Sequence, residues 1–154
     1  MTATPSERLR ELGLSLTTPA KPAGAYSHAV VDGDRVWVSG QIVIDAGKPV
    51  SPGLVDKDVP VDVAKDLARR AALQALSALA AELGSIDRVK GIVRVTVYVA
   101  SSLGFGRQPE VANGATELFI QVFGEAGRPA RAAIGVASLP FNAPVEVECM
   151  ARTV

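Results

Sequence analysis

Residues 61–100 read VDVAKDLARRAALQALSALAAELGSIDRVKGIVRVTVYVA, and this run decides the fold. Leu67, Ala71, Leu76, Leu79, Ala80 and Leu83 recur at helical spacing, while Lys65, Asp66, Arg69, Arg70 and Glu82 fall mostly elsewhere, which predicts a helix over Val61–Leu83. Gly84 follows where a left-handed residue closes a helix. The many alanines on the apolar stripe suit a helix that lies close to a sheet. The pattern then changes period. Val89, Val93, Val95, Val97 and Val99 share one parity and Arg94, Thr96 and Tyr98 the other, which predicts a strand over Val89–Ala100. That strand is more apolar on both faces than a single layer of helices requires, so a second covering surface is expected.

Downstream, SSLGFGRQP reads as a loop. Val111, Ala115, Leu118, Phe119, Val122 and Phe123 mark a second helix, ended by Gly124 and Gly127. Ala130–Val136 is a strand, broken by Leu139-Pro140, and Val145–Arg152 is a last strand. Upstream, Ala29–Val31 and Arg35–Ser39 flank Asp-Gly-Asp, a hairpin signal because Asp-Gly tolerates positive φ. Asp45–Pro60, rich in Gly and Pro, reads as a loop or bulged edge. Thr4, Pro5 and Glu7 form a capping box ahead of a short helix whose apolar side is Leu9, Leu12 and Leu16. The order is helix, β, β, long helix, β, helix, β, β. It predicts an α+β domain in which both long helices pack on one face of a mixed β-sheet. One domain is expected over residues 1–154, with residues 1–20 as an N-terminal helical extension.

The 154 residues carry sixteen basic and sixteen acidic side chains, so no electrostatic footprint for nucleic acid or an anionic membrane exists over the whole chain. No apolar run is long enough to span a membrane, and no basic stretch followed by an apolar one marks a secretory signal, so a cytoplasmic protein is expected. A single cysteine and a single histidine exclude an intrachain disulfide, a cysteine metal cluster and a histidine acid–base pair. Neither a metal nor a cofactor is expected. Cys149 lies on the apolar parity of the last strand and reads as a buried thiol, His28 as a polar residue at the start of a strand. Gly-Phe-Gly at 104–106 lacks the third glycine of a nucleotide fingerprint.

Arg131 stands apart. It has the opposite parity from Ala130, Ala132 and Ile134, and a strand arginine facing away from the core ends in solvent, in a carboxylate pair or in an anion pocket. Glu146 and Glu148 occupy the polar parity of the last strand, expected to pair with the strand of Arg131. Spacing alone favours a cross-strand salt bridge.

The segment GRPARAAIGVASLPFNAPVEVE, with VWVSGQI and GAYSHAV before it, resembles the RidA/YjgF family of enamine/imine deaminases, once widely labelled endoribonuclease L-PSP. The resemblance runs from about Lys21 to the C-terminus and is nearest to a longer, chorismate-mutase-like branch with an added N-terminal helix. It implies a homotrimer with three intersubunit clefts. It implies that Arg131 clamps the carboxylate of a small 2-imino or 2-keto acid. Glu146, with Glu148 as the alternative, would hold the hydrolytic water together with a backbone carbonyl after the arginine. Ala133 stands where many members have Cys. Tyr26, Ser39, Gly40 and Asn113 match substrate-binding positions. The implied reaction converts 2-imino or enamine acids into 2-keto acids and ammonia without a cofactor. A non-catalytic trimeric protein that binds small carboxylates, or regulates through them, is the rival reading. Zero net charge and the lack of an aromatic–basic stripe argue against a ribonuclease, and a chorismate mutase wants more cationic groups than Arg131.

Overall fold

A computed structural model describes residues 3–154. The first helix, α1 (Pro5–Glu11), has the expected capping box: Thr4 accepts from the Glu7 amide, and the Glu7 carboxylate accepts from the Thr4 amide at 2.8 Å. The helix is docked. Leu9 is buried, and the Ser6 amide and hydroxyl both donate to Asp87, at 2.8 and 2.7 Å. Leu12, expected on the apolar side, is instead exposed, and Leu14 and Leu16 pack on the core. The helical period stops applying there because Gly13 takes φ +69° and turns the chain.

Strands β1 (Ala29–Asp32) and β2 (Arg35–Gln41) form the expected hairpin, with Asp32 opposite Arg35 and Gly33 at φ +60° in the turn. The Gly/Pro-rich stretch contains a two-residue hairpin, β3 (Ile44–Asp45) and β4 (Lys48–Pro49). Helix α2 spans Val61–Leu83 and ends at Gly84 in the left-handed region. It is followed by β5 (Val89–Ala100), α3 (Gln108–Phe123), β6 (Ala130–Val136) and β7 (Val145–Thr153). The main sheet runs β1-β2-β7-β5-β6, antiparallel except for the parallel pair β5–β6 that α3 connects. Helices α2 and α3 pack together over one face. Ala64, Ala68, Ala71, Ala72 and Ala75 of α2 are wholly buried, as a close-lying helix requires.

Three expectations are corrected. The last strand does not pair with the strand of Arg131: β7 lies between β2 and β5, and β6 is an edge strand. A crossover through α3 claims the free side of β5 for β6, so the returning β7 takes the other side. Val93 does not share the buried parity of its strand. A bulge between Ile92 and Arg94 inserts one extra residue, so Ile92 and Val95 both face the helices while Val93 is exposed. Finally, the face without helices is mixed and not apolar. Trp37 and Ile134 are exposed there, but Arg94, Glu146, Glu148 and Arg152 stand on the same face.

The two helices touch backbone to backbone at Gly114, where an added Cβ would come within 1.9 Å of the Lys65 carbonyl oxygen. Gly114→Ala must therefore part α2 from α3. A loss of about 1–3 kcal/mol is expected, seen as a melting point lower by roughly 2–10 °C; calorimetry of the two proteins checks it.

Candidate active site

Two clusters of polar side chains flank the sheet. The first sits on edge strand β6. Parallel pairing sets Arg131 abreast of Val95 and Ala133 abreast of Val97, both core residues, so these positions turn toward the helices. The expectation that Arg131 faces away from the core is thus corrected; it remains exposed because the core ends at β5. Its guanidinium lies along α3, where Nη1 donates to Asn113 Oδ1 at 2.7 Å and to Thr116 Oγ1 at 3.3 Å. Thr116 is itself buried. No carboxylate lies within ion-pair distance of Arg131 among the described residues, which removes the salt-bridge reading within one chain. One prong of the fork is thus held by neutral acceptors, and the positive charge is left uncompensated.

The second cluster forms where β2 bulges away from β7, between Val38 and Gln41. Ser39 Oγ donates to the Ser27 carbonyl at 2.6 Å, tying the incoming chain to the strand. At Gly40 an added Cβ would sit 1.8 Å from Glu146 Oε1, so only glycine lets the carboxylate lie there. Glu146 is half-buried, and its carboxyl is held above the usual carboxylate range by burial first and by the negative charge of Glu148 second. Glu148 is already engaged: Tyr98 Oη donates to it at 2.9 Å, and burial together with that carboxylate pushes the Tyr98 phenol up. Glu146 has no such donor among the described residues. Tyr26 is half-exposed, edge-on to His28, and lines with Gly40 a cavity of about 530 Å³.

The structure therefore gathers Tyr26, Ser39, Gly40 and Glu146 on one side, and Arg131, Asn113 and Ala133 on the other. One chain does not join them. Glu146 pairs with Tyr98, which pairs with Ile134, so the two α-carbons are two strands and three residues apart, roughly 14 Å, with side chains on opposite faces. Thr116 and Tyr98 were not singled out from sequence. Thr116 follows Asn113 at a helical i+3 spacing, and Tyr98 shares parity with Thr96, so both signals were present. His28 ties the chain at Ala20 to β1, with Nε2 donating to the Ala20 carbonyl at 2.6 Å. Cys149 is buried and its thiol pushed up to about 12 by that burial, so it is no nucleophile. Among the described residues no three His, Cys, Asp or Glu side chains are grouped to hold a metal ion, and no helix is long and apolar enough to cross a membrane.

A family model described as endoribonuclease L-PSP matches residues 17–153. The Trypanosoma cruzi protein TCP17 is 43 % identical over 143 residues, 92 % of this chain and 89 % of its own. The rat protein named 2-iminobutanoate/2-iminopropanoate deaminase is 34 % identical over 88 % of this chain and 87 % of its own. A crystal structure from Shewanella oneidensis, 29 % identical, superposes with a TM-score of 0.91 over 97 % of this chain and 99 % of its own.

Folding raises the pKa of Glu146, so the folded chain holds that proton more tightly than the unfolded one. Its ionised form costs stability above the folded pKa, and the cost vanishes below the unfolded value, near 4.5. Glu146→Gln is expected to melt higher than the parent at pH 7, the difference closing as the pH falls to about 4. Thermal melts of both proteins across that range check this. A salt bridge at Glu146 would give the opposite sign.

Proposed function

The chain belongs to the endoribonuclease L-PSP (RidA/YjgF) family, and from that premise we propose that it hydrolyses 2-imino and enamine acids to 2-keto acids and ammonia. The site is a cleft that a second copy of the chain completes, in a homotrimer. One observation carries this reading: Arg131 and Glu146 lie on opposite faces of one sheet, and each is left with unspent capacity on the side where another subunit would meet it. The names of the rat relative and its kind support the reaction class. The mixed face of the sheet, with Trp37 and Ile134 exposed among charges, supports contact between copies.

The chemistry asks little of the protein. A 2-imino acid is electrophilic at C2 and needs its carboxylate fixed and a water placed. Asn113 and Thr116 hold one prong of Arg131, which leaves the rest of the fork for the substrate carboxylate. β6 is an edge strand, so alternate backbone carbonyls along it face no neighbouring strand on the outer side and can accept from the water. Glu146 takes a proton from that water as its oxygen bonds to C2 and the C=N electron pair moves to nitrogen. Glu146 returns that proton to the nitrogen, which gives the carbinolamine; it then relays the hydroxyl proton to the amino group, the C–N bond breaks with its electron pair leaving on ammonia, and the C=O of the keto acid forms. A carboxyl whose pKa is raised is suited to take and return a proton in this way. Residue 133 contributes backbone only, so alanine there is compatible with the scheme.

Three outcomes are expected. Light scattering on the purified chain gives three times the 16.0 kDa monomer mass; a stable monomer sinks the shared cleft. Ammonia is released from 2-iminopropanoate generated in the assay, and Glu146→Gln lowers the rate about 100-fold or more. Affinity for a 2-keto acid falls in the order parent, Arg131→Lys, Arg131→Ala. The last step is worth on the order of 2–4 kcal/mol, roughly thirtyfold to nearly a thousandfold. Arginine-dependent binding with no ammonia release would identify a carboxylate-binding protein and not an enzyme.

A further inference from the structure

Glu146 and Glu148 stand two residues apart on the bare face of β7, and spacing alone does not say which of them carries the proton of the hydrolysis. Their neighbours on β5 do. Tyr98 lies directly across from Glu146, and Thr96 directly across from Glu148. The Tyr98 hydroxyl nevertheless donates along the diagonal to Glu148, at 2.9 Å. A donating phenol is best met by an ionised carboxylate, whose oxygens only accept. Glu148 therefore has a fixed donor, while Glu146 has none among the described residues.

A proton that enters this pair meets two unequal carboxylates. On Glu148 it would weaken the bond from the phenol. On Glu146 it disturbs no bond and removes a half-buried charge that faces the negative charge of Glu148. The other charged groups on this face favour the same order. Arg94 of β5 stands across from Met150, Arg35 of β2 across from Arg152, and Asp32 of β1 across from Arg35, so all three arginines are nearer in register to Glu148 than to Glu146. β6 adds only Ala130, Ala132 and Ile134 on this face, and α2 covers the other face. Tyr26 and His28 lie beyond Gly40, around the neighbouring cavity. In the proposed shared cleft Arg131 of a second copy meets the substrate carboxylate, in the parent and in variants of this pair alike.

We propose that Tyr98 is a positioning residue for the hydrolysis: by holding Glu148 as a hydrogen-bond acceptor, its hydroxyl reserves Glu146 as the carboxylate that takes up and returns the proton. The catalytic part of this rests on the reading of Glu146 as the group that activates the water. The placement of the proton does not, and it can be read directly.

Carbon-13 NMR of the full chain, labelled at the glutamate carboxyls, follows Glu146 and Glu148 through a pH titration. In the parent, Glu146 is expected to take up the first proton as the pH falls, and Glu148 to follow only once Glu146 is filled. Tyr98→Phe keeps the ring and removes the hydroxyl; the two carboxyls then titrate together over one broad range, as a coupled pair. Glu148→Gln keeps an acceptor for the phenol and removes the charge, so the midpoint of Glu146 moves down by about one pH unit. The acidic limb of kcat/KM for ammonia release from 2-iminopropanoate follows Glu146: it moves to lower pH in Glu148→Gln and becomes shallower in Tyr98→Phe. A Tyr98 that only packs would change the rate equally at every pH and leave the order of titration as it was. That result overturns the proposal, as does a parent in which Glu148 takes the first proton. Ordered titration that Tyr98→Phe abolishes, in a parent that releases no ammonia, supports the placement of the proton and overturns only the hydrolase reading.

Discussion

The parallel pairing of β6 against β5 is the constraint on which the rest of the structure depends. Parallel strands need a crossover, and α3 supplies it over the face that α2 already covers. This leaves one sheet face bare, forces β7 to the far side of β5 and makes β6 an edge. It also sets the residue abreast of Val95 beside the helix that made the crossover. An arginine at that place meets α3 at Asn113 and Thr116, exposed but held, because the core does not extend over an edge strand.

The other half of the site depends on a different local device. The bulge in β2 brings a backbone without a side chain against Glu146, which lets a carboxylate lie half-buried with no cation in ion-pair distance among the described residues. That placement is unfavourable for the fold, since burial and Glu148 both oppose its ionisation. Glu148, two residues on, has a phenol to hold and stays in its ordinary role. A half-buried, unpaired carboxylate and an uncompensated guanidinium on opposite faces of one sheet are poor choices for an isolated chain. The shared cleft proposed above gives both a use: the guanidinium for a substrate carboxylate and the carboxylate for a proton.

Much of the fold was legible in the sequence. The limits of α2, β5 and β6 follow from period and punctuation alone, and the Gly33 turn from one dipeptide. What misled was every inference that carried a period past an irregularity. Leu12 fell off its helix at a left-handed glycine, and Val93 fell off its strand at a bulge. Neither position has a distinctive composition, because a bulge is chosen by the register of the neighbouring strand and not by the residue that occupies it.

By itself, the sequence determined the α+β class, the elements and the identity of the residues with chemistry to offer, since periodicity and turn chemistry are local properties. Which strand lies beside which was decided only in three dimensions. Alternation says that Arg131 and Glu146 each stand on a given parity, but not which face that parity becomes, because the face depends on pairing between residues far apart in the chain. The expected salt bridge and the observed separation are both compatible with the same string of letters. Only the crossover through α3, with the place it leaves for β7, distinguishes them.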